Sequence, residues 1–137
     1  MPKYWIVKTE PSTYSYDDLA RQQTATWDGV RNNLALKHLR LMQPGDRVLV
    51  YHTGDEKAVV GVAAVVSEAY PDPKERDPKL AVVDLKAAGR LPKAVSLAQI
   101  KEDRAFADLG LVRMGRLSVM PASPEQFKRL LGLGGMK

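Results

Sequence analysis

The 137-residue chain contains no cysteine, which excludes a disulfide framework, a thiolate metal site and a cysteine nucleophile together. It has only two histidines, His38 and His52, and no His/Asp/Glu cluster with metal-ligand spacing. No serine sits in a strand-turn-helix elbow. No apolar run approaches the length that spans a bilayer, and "MPKYWIVKTEP" has too few apolar residues in a row before Lys8 for a signal peptide. The glycine-rich loop of a dinucleotide fold is missing after the first expected strand, and "GLGG" near the C-terminus has no helix behind it. These absences imply a soluble, cytoplasmic protein that needs no cofactor and makes no membrane contact; the sequence leaves the oligomeric state open, with a monomer favoured.

What is present suits one compact domain. Hydrophobic residues make up 45% of the chain, enough for a single core without metals or disulfides. The net charge of +5 is unevenly placed: Met1–Glu68 carries 8 Lys/Arg against 8 Asp/Glu, and Ala69–Lys137 carries 13 against 8. Lys86, Arg90, Lys93, Arg113, Arg116, Lys128 and Arg129 therefore either form a phosphate-attracting surface or a basic but inert one.

Local signals place the elements. "KYWIVKT" reads as a central strand, apolar on both faces, ended by Pro11. "SYDDLARQQ" starts a helix with Ser15 as cap and Asp18 as its reciprocal partner, and Arg31–Met42 is a second helix stopped by "QPGD". "RVLVYHT" and "AVVGVAAVVSEAY" form a hairpin across "GDEK", with Gly61 marking a bulge or a close backbone approach. "PDPKERDP" is a surface loop, and "KLAVVDLKAA" is a further strand. After "GRLPKAV" come a helix capped by Ser96 and Gln99, a short strand "RLSVMP", and a terminal helix opened by Ser123, Pro124 and Gln126. Short strands with helices at the margins favour an α+β domain built round a curled sheet or small barrel.

Catalytic groups are sparse. His38 lies on the apolar side of a helix, and His52 closes a strand, where it faces a cavity or a backbone carbonyl. Glu10, before Pro11, is either a pocket carboxylate or an acceptor for amides of the turn. A site for a flat ligand asks less of a sequence: an aromatic face and a few fixed polar groups. "ATWDGVRNN" offers Trp27 beside Asp28, Arg31 and Asn32, while Lys8-Thr9 and Tyr51-His52-Thr53 end two expected strands. Trp27 is then either core filler or a pocket wall.

Five stretches, "YWIVKTEP", "WDGVRNNLA", "PGDRVLVYHT", "GVAAVVSEAYPDP" and "RLSVMPASPEQF", resemble the EVE domain family in consistent order over nearly the whole chain. The resemblance implies a PUA-like fold, related to YTH and ASCH domains, with a curled β-barrel and peripheral helices. It also implies a non-catalytic reader of a modified base, such as methylated cytosine, held in an aromatic pocket on DNA or RNA. On that basis Trp27 is the stacking wall, Lys8 and Thr9 contact the base from the end of the first strand, and Asn32 meets its edge. Tyr51 and His52 line the opposite side, with Asp28 and Arg31 nearby and Ser118 and Arg116 at the rim. Arg116, Arg113, Lys86 and Arg90 then contact phosphates. The chain departs from the family pattern in carrying Thr9 and Thr53 where serines are usual, and Leu80-Ala81 in place of an aromatic. The other readings are an enzyme of RNA or nucleotide metabolism, and a module for small molecules or protein partners.

Overall fold

The computed structural model describes residues 2–136. The first strand, β1 (Tyr4–Thr9), lies between β3 (Arg47–His52), to which it is parallel, and β7 (Val119–Ala122), to which it is antiparallel. Trp5, Ile6 and Val7 are buried in succession, as an inner strand covered on both faces requires. Between β1 and β3 run α1 (Tyr16–Gln22), the short strand β2 (Thr24–Trp27) and α2 (Asn33–Leu41). β4 (Ala58–Val65) pairs with β3 as the expected hairpin, and β5 (Tyr70–Pro71) is a two-residue addition. β6 (Ala81–Ser96) then joins β2 to β4. α3 (Leu97–Glu102), a 3-10 turn (Arg104–Phe106) and α4 (Gly110–Arg113) precede β7, and α5 (Pro124–Leu133) follows it.

Six strands are hydrogen-bonded in the order β2-β6-β4-β3-β1-β7, with β5 attached to β6. The sheet is mixed and open, so the expected curled barrel is not formed. Closure would require β2 to pair with β7, and each is only four residues long. Proline 121, in β7, has no amide proton to give a ladder. Both strands therefore remain edges.

The helix starts follow from side-chain chemistry. Ser15, Ser96 and Ser123 each cap a helix and receive a reciprocal bond from Asp18, Gln99 and Gln126 respectively. α2 begins two residues later than expected because Asn32 caps it, accepting from the Ala35 amide at 3.0 Å. The expected inner face of Leu34, His38, Leu41 and Met42 is only partly the observed one: Ala35, Leu36, Leu39 and Met42 are buried and Leu41 is exposed. The strand β2 was not expected, and "GRLPKAV" continues β6 rather than interrupting it.

Tyr16 ties α1 to the sheet. Its ring is buried over Gly61, its hydroxyl donates to the Val62 carbonyl at 2.7 Å and accepts from the Gly89 amide at 3.0 Å. Gly61 lies between two register shifts of the β4–β6 ladder, so both readings of that glycine, bulge and close approach, describe one arrangement.

Candidate functional site

A cleft of about 890 Å³ opens between the two ends of the open sheet. One side is made by Lys8 and Thr9 at the end of β1, with Ser118 just before β7. The other is made by residues 24–31, that is β2 and the loop after it, and Asp72, Pro73 and Lys74 close a third side. Strands that do not pair leave this gap, and its size falls in the range of ordinary ligand pockets.

The aromatic part is a corner of two rings. Trp27 ends β2 and shows only 6% of its surface, so a ligand reaches an edge or part of one face rather than an open platform. Tyr14 stands nearly perpendicular to it, at 81° with centroids 6.0 Å apart, and is only half-buried. The turn after β1 positions Tyr14: the amides of Thr13 and Tyr14 both donate to the Glu10 carbonyl, and the Thr9 hydroxyl donates to the Tyr14 carbonyl at 2.6 Å. The Tyr14 hydroxyl donates to Gln22, another cleft residue, at 2.6 Å. Burial, with Asp18 and Asp28 nearby, pushes the Tyr14 phenol above its ordinary pKa, so it stays a neutral donor.

Lys8, Arg31 and Lys74 line the cleft together with Asp28 and Asp72. Lys74 lies 3.8 Å from Asp28, and Arg31 is paired with Glu75 at 3.1 Å. Asp72 is buried and accepts from the Lys74 amide at 2.9 Å, which fixes the bend of the third wall. Lys8 donates to the Gly115 carbonyl at 2.7 Å and lies 5.6 Å over the Tyr51 ring. Its partial burial lowers its pKa.

The residues singled out in the sequence thus separate into two groups. Lys8, Thr9, Trp27, Asp28, Arg31 and Ser118 meet in the cleft. Asn32, Tyr51 and His52 do not line it. Asn32 is the α2 cap, and Tyr51 is buried on the far side of Lys8. His52 is buried with Nε2 accepting from the Tyr16 amide at 2.9 Å, so Nδ1 carries the proton that faces Glu56 at 2.7 Å. Nε2 thus holds the start of α1, and Nδ1 holds the turn between β3 and β4. Glu10 is held by the Ser12 hydroxyl and amide and by the Thr53 hydroxyl, and these bonds, that of the Ser12 hydroxyl foremost, lower its pKa.

Of the expected phosphate contacts, Arg113 and Arg116 are exposed on either side of the Gly115 turn that Lys8 grips. Lys86 is exposed on β6 directly across from Thr24 of the cleft. Arg90 is paired with Asp17 at 2.9 Å. The cleft cations Arg31 and Lys74 lie outside that group, Arg31 in the charge-balanced half of the chain. Tyr14 and Lys74 were missed because their place depends on a turn and on the Pro-rich loop.

Among the described residues no cluster of His, Asp and Glu could hold a metal, and no helix is long and apolar enough to cross a membrane. The fold and cleft define a small α+β domain with an aromatic-cornered, cation-edged gap at its open sheet. A family model for the EVE domain matches residues 3–133, and the chain belongs to that family. Mouse thymocyte nuclear protein 1 is 31% identical over 97% of this chain and 74% of its own length. A structure of Rpa0253 from Rhodopseudomonas palustris is 40% identical, with a TM-score of 0.91 over 97% of this chain and 93% of that one. Human THYN1 protein, solved in complex with 5-methylcytosine-containing DNA, is 30% identical, with a TM-score of 0.90 over 98% and 99% of the two chains.

Proposed function

We propose that this protein is a non-catalytic reader that holds a modified base, methylated cytosine in DNA or RNA, in the cleft beside Trp27 and Tyr14. The observation that carries the reading is the pair of perpendicular rings at an opening of about 890 Å³ edged by Lys8, Arg31 and Lys74. A flat heterocycle fits such a corner, one ring meeting its face and the other its rim, while the cations face the strand it belongs to. The DNA complex of the human relative supports the same ligand class. The two groups that an enzyme would call on, Glu10 and His52, are occupied in hydrogen bonds that hold the turn and α1, which favours binding over catalysis.

Removing a base from its stack costs a few kcal/mol, so single strands bind more tightly than duplexes. Fluorescence anisotropy with matched single-stranded oligonucleotides, carrying cytosine or 5-methylcytosine at one position, tests the reading. The methylated strand binds more tightly, and Tyr14→Ala weakens it roughly 5- to 150-fold, the loss of one stacking contact. Tyr14 is the better site for substitution, because Trp27→Ala would also empty part of the core. Equal affinity for both strands, with no effect of Tyr14→Ala, would sink the reading.

A further inference from the structure

Lys8 borders two hollows. On the side away from Trp27 lies a second one of about 230 Å³, between the end of β3, α3 and α4. Leu97, Leu111 and Val112 make it partly apolar, and Tyr51 adds a buried ring. Its charged residues are all of one sign: Lys8, Lys57 and Lys101. None of these three lysines forms an ion pair among the described residues. No carboxylate lines this hollow, and two that neighbour its lining residues in the chain or in space are engaged elsewhere. Glu10 bonds Ser12 and Thr53, and Glu56 bonds His52. The larger cleft, by contrast, mixes its cations with Asp28 and Asp72. The Lys8 ammonium gives one of its three N–H bonds to Gly115, which leaves others for an anion.

We infer that this second hollow seats the phosphate and sugar of the nucleotide adjoining the base in the main cleft, with Lys8 as the joint between the two. The inference rests on the base-reading function proposed above. An unbalanced set of ammonium groups attracts a phosphodiester, and the leucine and valine side chains suit the apolar face of a pentose. Because one lysine lines both hollows, a strand whose base enters the first is carried to the second by its own backbone. The site would add affinity without reading sequence.

The test uses the full chain and three probes: 5-methyl-2′-deoxycytidine, a single-stranded trinucleotide with 5-methylcytosine at its centre, and inorganic phosphate. Amide signals of Leu97 and Val112 should move with the trinucleotide and stay still with the nucleoside, which moves only signals around Trp27 and Tyr14. The exposed-lysine variant K57Q/K101Q should bind the nucleoside as the wild type does. It should bind the trinucleotide several-fold more weakly, with a plot of log affinity against log salt shallower by about 0.7 for one lost phosphate contact on a single strand. An unchanged affinity and slope in K57Q/K101Q, with Trp27 still responding, overturns the second hollow and leaves the reader intact. Inorganic phosphate moving Leu97 and Val112 at the same concentration as the trinucleotide overturns the nucleotide assignment in favour of a simple anion site. Failure of every probe to move Trp27 or Tyr14 overturns the reading function itself, and this inference with it.

Discussion

Replacing Gly61 by alanine probes the joint on which the cleft wall hangs. A Cβ at this position would lie 2.6 Å from carbons of the Tyr16 ring, well inside contact distance. The ring is fully buried and has no free space to enter, so the methyl must displace it. Overpacking of this kind costs about 1–3 kcal/mol. Displacement also breaks the hydroxyl bonds to Val62 and Gly89, at about 1 kcal/mol each. The expected loss is therefore about 4 kcal/mol, a large share of the 5–15 kcal/mol, roughly, that a small domain has in total. Urea unfolding measures it, with the midpoint falling and the slope unchanged. A double-mutant cycle identifies the cause: with Tyr16→Leu already in place the obstructing ring is gone, and Gly61→Ala should then cost less than about 1 kcal/mol. A cost near zero in the wild-type background, or an equal cost in both, would refute the reasoning.

Asp46 is a second structural point: its buried carboxylate accepts from the Trp5 indole at 3.0 Å and from the amides of Lys3 and Gln43. Asp46→Ala strands three donors and should cost about 3 kcal/mol or more by denaturant unfolding, whereas a loss under about 1 kcal/mol would mean water replaces them. Glu10, Asp18 and Asp103 have pKa values held below the ordinary 4.5 and 3.8, chiefly by the Ser12 hydroxyl, the Ser15 amide and the Arg129 side chain respectively. Their contribution is complete above those ordinary values and is lost as pH falls through the lowered ones, so acid titration of stability should be flatter in Asp18→Asn/Asp103→Asn than in the wild type. Lys8 behaves in the opposite range: burial lowers its pKa from 10.5, and a phosphate beside it favours the charged form. Oligonucleotide affinity should thus decline at alkaline pH before ordinary lysines titrate, and Lys8→Arg should remove that decline, an unchanged decline contradicting the role given to Lys8.

The parts legible in the sequence are those set by neighbours in the chain. The three serine caps were readable because each box needs only four residues in order. β1 was readable from its β-branched and aromatic run, and Gly61 from its isolation in a strand pattern. β2 was not, because four residues are too few to show an alternation, although they form one side of the cleft. The barrel expectation, drawn both from the run of short strands and from the family likeness, failed on the length and composition of two edge strands. Trp27 lines the cleft yet is also part of the core, and its depth is not legible in the sequence, because 6% exposure is a product of packing by distant segments. Asn32 caps α2, as the local chemistry of an asparagine before a helix describes, whereas the base-edge contact comes only with the family likeness. Tyr14 escaped notice because only the turn closed on Glu10 turns its ring toward the indole.

The central claim, that the gap at the open sheet receives a base beside Trp27, is tested most directly by a crystal structure of this chain with a short single strand containing 5-methylcytosine. The account predicts the methylated base unstacked from its neighbours and in van der Waals contact with Trp27 and Tyr14, its backbone passing over Lys8. A strand bound with every base still stacked and the cleft empty, or a base lodged elsewhere on the surface, would contradict it.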